Sequence, residues 1–560
     1  MRRVLFVIPP YFDVHGVAAQ GRAAVLPSFT IPYGILSMEA YLRVNCSKLE
    51  AVRLIDLNVT LKKLVEDGRT DEYEAVFRRE IEASLIEFRP QIFGVSALFN
   101  TSFGYVESVL DVVKSHDPSI LTICGGGLPS AAFEMMLRTC PSLDAICKGE
   151  GELPMKALID SEDPWDVITE HKAWVDRAQL ATGKVPQHDF IQELDEIPEF
   201  DYSFIDLDNY NSRSIDKRYA DRPKREMAIH TSRGCPFLCV FCSNPSLHGR
   251  SMRAMSVERV VNDVTRMRDE FDMTVLLIED DHFFFDKERA KTLLKAFADL
   301  GIRCEFPNGV AVYAIDDEVA FLFSAAGVSA VVLAVESGSD YVLNHIIKKP
   351  LKKKLIRPAV EALRRHDVRS HVFIVVGLPG EMDEHRKETM DMLLETGFDW
   401  IHINLAIPIF GSRLYDICVE NGYLETTRAE DFVATRANIR APGVDPIAVE
   451  NFAYEAQLRV NFAESANMRL GRHHIAMPYF QNVVSKYPEH AFGQFFYAKC
   501  LELEGRFQEA RLHRAHAERI FADDPWWRDL AERFGVIERS EPADHLLPSA
   551  LGAELQAISA

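Results

Sequence analysis

The 560-residue chain has no apolar run long enough to span a bilayer, and its start shows no basic region followed by an apolar segment of signal-peptide length. Neither a membrane span nor a secretion signal is expected. The first apolar stretch, "VLFVI" at 4–8, is too short for either role. Basic charge is scarce as well. Only 63 Lys and Arg stand against 84 Asp and Glu, a formal net charge of −21, which disfavours nucleic acid or an anionic membrane surface as a partner. The G-x-G-x-x-G fingerprint of a dinucleotide site is missing after the first strand, where "PPYFDVHG" stands instead. A cytoplasmic location is the expectation.

Ten cysteines are present. Cys46, Cys124, Cys140, Cys147, Cys304, Cys418 and Cys500 are scattered, most of them among apolar neighbours, and read as inert thiols of a reducing compartment. The other three fall in "TSRGCPFLCVFCSNPSLHGR" (231–250), where Cys235, Cys239 and Cys242 form C-x3-C-x2-C without a fourth cysteine nearby. Thiolates hold iron–sulfur clusters. Three on one tight loop can bind three irons of a 4Fe–4S cube and leave the fourth open, as a catalytic metal requires and a structural one does not. Gly234 and Pro236 allow the sharp turn, and Phe241 can pack over the cluster or its ligand. Taken alone, the triplet also permits a zinc knuckle completed by His248.

The length allows three or four domains. Over residues 1–160, short apolar strands at 4–8, 52–57, 92–98, 121–126 and 144–149 alternate with helical patterns such as 34–44 and 105–116. This predicts a doubly wound, Rossmann-like parallel sheet with its ligand at the strand carboxyl ends. Residues 161–222 lose the rhythm and read as a linker packed on the surface. Over 223–445 six strands, at 226–232, 274–280, 303–310, 330–337, 370–377 and 400–406, are each separated by a helix-length segment. They predict a partial (β/α)6 barrel with active residues at the strand carboxyl ends. Residues 446–538 turn helical, and the Gly-Arg pairs at 471 and 505 repeat with the roughly 34-residue period of a tetratricopeptide unit. Residues 539–560 read as a loose tail.

The cysteine triplet, with an aromatic residue before its last cysteine, resembles that of the radical S-adenosylmethionine (SAM) enzymes. Further pieces follow in order. "IEDDHFFF", with Asp280 and Asp281, is similar to the family's acidic segment near the SAM amino group. "AVESGSDYVLNHIIKK", with Glu336 and Ser337, resembles the fourth-strand motif that contacts SAM, and "VVGLPGE", with Gly377, the glycine motif that meets the adenine. "EFPNGVAVYAID" (305–316) and "PIFGSRLY" (408–415) resemble the third-strand and sixth-strand exit segments, the latter as found in the cobalamin-binding branch. Taken singly, Asp280 and Asp281 also fit a helix N-cap.

The N-terminal region resembles the cobalamin (B12)-binding domain that precedes many such enzymes. The pieces are "IPPY" with Pro10, "IPYGILSMEAYLR" with Tyr33, "FGVSALF" with Ser96 and Leu98, "CGGGLPS" with Gly125, Gly126 and Gly127, and "CKGEGE" with Gly149 and Glu150. The small residues would let the backbone approach a flat macrocycle. Some relatives ligate cobalt with the histidine of D-x-H-x-x-G. Here "DVHGVA" (13–18) keeps Asp13 and His15 but has Ala18 at the last position, and "AQGRAAVLPSF" after it reads as a loop. His15 is therefore expected to be a loop histidine that leaves the cobalt unligated.

The resemblance implies a class B radical SAM methyltransferase with a 4Fe–4S cluster, SAM and cobalamin as cofactors. In that family SAM is cleaved to a 5′-deoxyadenosyl radical, which takes a hydrogen from an unreactive position, and methylcobalamin supplies the methyl group. A second SAM remethylates the cobalamin. The expected acceptor is a small or peptide-like natural-product intermediate, methylated on carbon or, as in the phosphinate P-methylase group, on phosphorus. A reducing partner such as flavodoxin or ferredoxin is implied. Candidate substrate contacts are His282, Tyr313, His402 and Asn404; the last two share one face of a strand. Two other functions stay open, a non-methylating cyclisation, rearrangement or oxidation on the same cofactors and a cobalamin- or metal-binding sensor.

Overall fold

Alternation along the first strand sets the architecture of the N-terminal region. The computed structural model describes residues 1–19, 29–210, 225–433 and 436–538. In β1 (Arg2–Ile8), Val4, Phe6 and Ile8 join one core with Ile35, Leu42 and Leu158, while Leu5 and Val7 join another with Leu61, Phe77, Leu110 and Met136. A strand with two apolar faces needs helices on both. The sheet adds β2 (Leu49–Asp56), β3 (Ile92–Ser96), β4 (Leu121–Gly125), β5 (Ala145–Cys147) and β6 (Trp174–Asp176). Their order is β2-β1-β3-β4-β5-β6, parallel throughout except for β6 against β5. The strand order reverses between β1 and β3, so their carboxyl ends border the crevice where such sheets take ligands.

Two expectations need correction here. The segment assigned as a surface linker carries the helix Pro164–Glu170 and β6, and buries Ile191, Leu194 and Ile197. A three-residue antiparallel edge strand is too short to show a period, which is why it read as loop. Its part 211–222 lies outside the described residues, as do the tail 539–560 and most of the loop after position 18. His15 is not on a loop; it belongs to the short helix Val14–Ala19 and places its Nε2 3.1 Å from the Tyr73 hydroxyl.

The chain divides into two compact units. The first comprises Met1–Asn308 and Ile407–Val433, the second Gly309–Ala406 and the described part of Ala434–Ala560. Beside the six-stranded sheet, the first unit holds β7 (Glu226–Ile229), β10 (Val275–Ile278) and β11 (Arg303–Glu305), parallel in the order β11-β10-β7. Between β7 and β10, β8 (Ser232–Arg233) pairs antiparallel with β9 (Arg253–Ala254). The helix Val257–Phe271 starts where the Ser256 hydroxyl accepts the Arg259 amide, and it buries Val260, Val264 and Met267 at helical spacing. The returning segment 407–433 adds Phe410, Ala429 and Phe432 to the sheet domain's core.

The second unit contains β12 (Ala330–Glu336), β13 (Arg369–Val376) and β14 (Trp400–Leu405), parallel and adjacent in that order. The six expected strands of 223–445 are thus present, three in each unit. The third is shorter than predicted, because "PNGV" turns after Glu305 and only Val310 bridges onward, to Leu333. The helices His473–Lys486, Ala491–Leu503, Phe507–Asp523 and Pro525–Arg533 surround Phe480, Phe492, Phe496 and Trp527. Gly471 and Gly505, with φ of 69° and 76°, stand in the turns before two of these helices, so the repeat spacing is carried by the structure.

Candidate active site

The cysteines lie on the loop that leaves β8 and returns to β9. The register Ser232↔Ala254 and Arg233↔Arg253 closes its base. Gly234 makes the turn with φ 95°, and a Cβ there would stand 2.3 Å from the Ser251 carbonyl oxygen, so no other residue fits. The Cys235 amide donates to Gly249 O (3.3 Å) and the Cys242 amide to Cys239 O (3.1 Å). At mid-loop the Leu414 amide donates to Val240 O at 2.8 Å, which pins the loop to the returning segment. All three cysteines are half-buried. Burial pushes the Cys242 thiol up to about 12, and Cys239 and Cys235 beside it add to the rise. Three cysteines on one short loop, each able to bind metal as its thiolate, are a donor set that fits an iron–sulfur cluster. Among the described residues no three His, Cys, Asp or Glu side chains group around one metal position. A cube, which gives each cysteine its own iron, needs no such grouping; a zinc knuckle does. His248, the candidate fourth zinc ligand, places its Nδ1 2.9 Å from Glu150 Oε1 and belongs to no such group.

The acidic pair after β10 divides its work. Asp280 is buried and accepts from the Thr231 amide (2.6 Å), the Thr231 hydroxyl (2.7 Å) and the Ser232 hydroxyl (2.6 Å). Burial raises its carboxyl despite these bonds. It therefore braces the strand that feeds the cysteine loop. Asp281 faces the loop itself. Its Oδ1 accepts from Asn244 Nδ2 at 2.6 Å, and its Oδ2 is buried without a hydrogen-bond partner. His282 is buried against Phe237 of the loop, ring centroids 5.0 Å apart, and Phe241 is half-buried.

The carboxyl edge of the six-stranded sheet gathers the residues assigned to cobalamin. Pro10 is buried and its carbonyl accepts from the Ser102 hydroxyl at 2.9 Å. Ser96 ends β3 half-buried, and Leu98 beyond it is 41% exposed, next to the exposed Phe99. A broad apolar rim at the switch crevice suits a flat corrin ring. A Cβ on Gly125 would meet only Cys147, at 3.9 Å, which leaves that position open. Gly126 and Gly127 serve the protein instead: Cβ atoms there would lie 2.6 Å from Ala97 O and 2.9 Å from Leu98 O. Gly149 stands against His188, Phe190 and Leu247 O. Tyr33 is buried, with its hydroxyl 3.4 Å from His230 O and its ring on Phe200. Glu150 is committed to buried ion pairs with Arg233 and Arg253. Burial would raise its carboxyl, but the two guanidiniums and His248 outweigh that and hold it well below the usual range.

In the second unit Glu336 ends β12 buried, with φ 70°, a backbone strain that collects at functional positions. Lys349 Nζ holds its carboxylate at 3.0 Å. The Ser337 hydroxyl lies 3.2 Å from that of Thr389 and accepts from the Ser339 amide. The Gly377 amide donates to Glu381 Oε2 at 2.6 Å; burial pushes the Glu381 carboxyl up to about 7. His402 and Asn404 share the half-buried face of β14, and His371 on β13 has its ring 5.8 Å from that of His402. His371 Nε2 bonds the Tyr479 hydroxyl at 2.7 Å, and Tyr479 stacks on Trp400 at 5.0 Å. Tyr313 is 41% exposed. Sequence reading did not single out Arg233, Arg253, Lys349, His371 or Tyr479. Arg233 had a signal, standing two residues before the first cluster cysteine; the others become visible only through their partners.

Comparison with known proteins finds two domain families. Residues 20–159 match the B12 binding domain and residues 229–393 the radical SAM superfamily. The cytidylyl-2-hydroxyethylphosphonate methyltransferase of Streptomyces wedmorensis is 29% identical over 370 residues, 60% of this chain and 68% of its own. Two solved folds are similar. The cobalamin-dependent SAM radical enzyme OxsB, with aqua-cobalamin and SAM bound, aligns with a TM-score of 0.60 at 15% identity, over 97% of this chain and 82% of its own. The methyltransferase TsrM of Kitasatospora setae, with cobalamin and a [4Fe-4S] cluster bound, gives 0.55 at 14%, over 93% and 99%. The chain thus carries a B12-binding domain followed by a radical SAM domain. Together they define a cobalamin-dependent radical SAM enzyme, whose cofactors are a 4Fe–4S cluster, SAM and cobalamin. No helix among the described residues is long and apolar enough to cross a membrane.

Proposed function

We propose that the protein is a methyltransferase that moves a methyl group from SAM, by way of cobalamin, to an unactivated carbon or a phosphinate phosphorus of a small natural-product intermediate. The observation that carries this reading is that one compact unit holds both the ligand-binding edge of the six-stranded sheet and the three-cysteine loop. When bound, the cluster supplies the electron that cleaves SAM, and cobalamin supplies the methyl group. The chain's own residues bind, orient and exclude water. Cys235, Cys239 and Cys242 would hold the cluster, and Leu98, Phe99 and the open Gly125 would line the corrin. In the first unit Asp281 and Phe241 are the SAM candidates and His282 a substrate candidate, and Asp280 braces the strand that leads into the cysteine loop. In the second unit Glu336, Ser337 and Gly377 are the SAM candidates; His402 and Asn404 present polar groups from one strand face, and Tyr313 is a further substrate candidate. Burial pushes His402 down to about 4, so it meets a ligand as neutral imidazole. A flavodoxin or ferredoxin as reductant, a cytoplasmic location and no nucleic-acid partner complete the reading.

The relative from Streptomyces wedmorensis is named for a cytidylyl phosphonate, so phosphorus-bearing small molecules are the first acceptors to test. The decisive assay is anaerobic turnover of reconstituted protein with methyl-deuterated SAM. S-adenosylhomocysteine, 5′-deoxyadenosine and a deuteromethylated product together support methyl transfer. 5′-Deoxyadenosine without S-adenosylhomocysteine would move the enzyme to a non-methylating reaction. Failure to cleave SAM under strong reductant would favour a sensor.

A further inference from the structure

Both ends of the cysteine loop run into a buried knot of charge. Glu150, on the turn after β5, uses both carboxylate oxygens. Oε1 faces Arg253 Nη2 at 2.5 Å and His248 Nδ1 at 2.9 Å; Oε2 accepts from Arg233 Nη1 and Arg253 Nη1, each at 2.9 Å. Arg233 also pairs with Glu152 Oε1 at 2.9 Å and donates to the Ser37 hydroxyl at 2.9 Å, and Ser37 donates to Glu152 at 2.6 Å. The guanidinium of Arg253 lies 4.2 Å from the centre of the Phe190 ring. Glu150, Glu152, Arg233, Arg253 and Ser37 are all buried. The acids and Ser37 belong to the six-stranded sheet's domain. Arg233 is the last residue of β8, Arg253 the first of β9, and His248 ends the helix Asn244–His248 within the loop.

We propose that this knot is a positioning element that fixes the cysteine loop against the carboxyl edge of the sheet and so holds the cluster and the cobalamin at one spacing. A carboxylate offers about four lone-pair sites, and Glu150 has all of them engaged, so it has no capacity left for a ligand. Stability alone does not account for the arrangement. Buried ion clusters are often no better than apolar packing of the same volume, and their best-attested use is to fix register. The register fixed here is that of a loop whose base is only two residue pairs wide. The proposal rests on the methyl-transfer reading, because spacing matters to an enzyme that must deliver a methyl group to a short-lived substrate radical.

The test uses the full-length protein reconstituted with cluster and cobalamin. Glu150→Gln keeps the side chain's shape and removes the charge; Arg253→Lys keeps the charge and removes the two-pronged contact. Hydrogen exchange by mass spectrometry reads the loop directly, whatever the enzyme does. Exchange across 233–254 should rise on the order of a hundredfold, with the core strands β1, β3 and β4 unchanged. Iron and cobalamin content should stay at the wild-type level. The ratio of 5′-deoxyadenosine to methylated product should rise severalfold, because SAM is still cleaved but the substrate radical takes an electron from the added reductant and a proton from solvent instead of a methyl group. A merely structural role would lower both products together. If Glu150→Gln does not fold, Arg253→Lys carries the same expectations. Unchanged loop exchange in a folded variant overturns the proposal, and so does faster exchange with an unchanged product ratio. Should wild-type protein never methylate, the methyl-transfer reading fails by itself, while the exchange arm still reports on the tie.

Discussion

Gly234→Ala is the sharpest single perturbation of the cluster site. A residue other than glycine at φ 95° costs about 1–3 kcal/mol in backbone strain. Its Cβ would also sit 2.3 Å from the Ser251 carbonyl oxygen. That atom is backbone, so no side-chain rotation relieves the contact, and overpacking adds roughly 1–3 kcal/mol. The sum, about 2–6 kcal/mol, falls on a two-pair ladder with the first cluster cysteine one residue away. The loop base should open and the three thiols lose their convergence. The assay is iron and sulfide content after anaerobic reconstitution, with cobalamin retention as the control that the sheet domain is folded. Less than half of the wild-type iron is expected, at about one cobalamin per chain. Gly34→Ala serves as comparison, because a Cβ there meets nothing within 4 Å, and it should be neutral or slightly stabilising. Full iron and wild-type turnover in Gly234→Ala would refute the claim that this turn shapes the cluster site.

Two further predictions concern the second unit. Burial pushes His371 down to about 3 and His402 to about 4. Both are neutral when folded and bind protons near pH 6.5 when unfolded, so their contribution is complete above pH 6.5 and lost as pH falls towards 4. By pH 5 the loss is about 2 kcal/mol for each. His402→Gln should therefore lose less stability than wild type between pH 7.5 and pH 5 in denaturant titrations, and equal losses would contradict the assignment. Lys349→Met should leave the buried Glu336 carboxylate without that cation at a cost of roughly 3 kcal/mol. SAM binding measured by calorimetry should weaken with it, and an unchanged affinity would separate Glu336 from the SAM site.

How much could be read from residues alone depends on how local the cause is. The parallel strands β1 to β5 were legible because each carries apolar residues on both faces, as a sheet covered on both sides demands. The cysteine loop was legible because three thiols within eight positions leave few other readings. β6 was not, since three residues carry no period. His15 was misplaced because a short helix flanked by small residues looks like a loop.

Sequence by itself determined the chemistry on offer: the three-thiolate donor set, the order of strands and helices, and the helical repeat marked by Gly471 and Gly505. These follow from spacing along the chain. Tertiary structure alone decided which acids are free to meet a ligand. Asp280 and Asp281 are adjacent in sequence, yet one is satisfied by Thr231 and Ser232 while the other keeps a buried oxygen open. Glu150 lies in a motif that reads as a ligand site, and the fold surrounds it with Arg233, Arg253 and His248. The reason is physical. A buried charge takes its role from the opposite charges brought to it, and those come from more than eighty residues away.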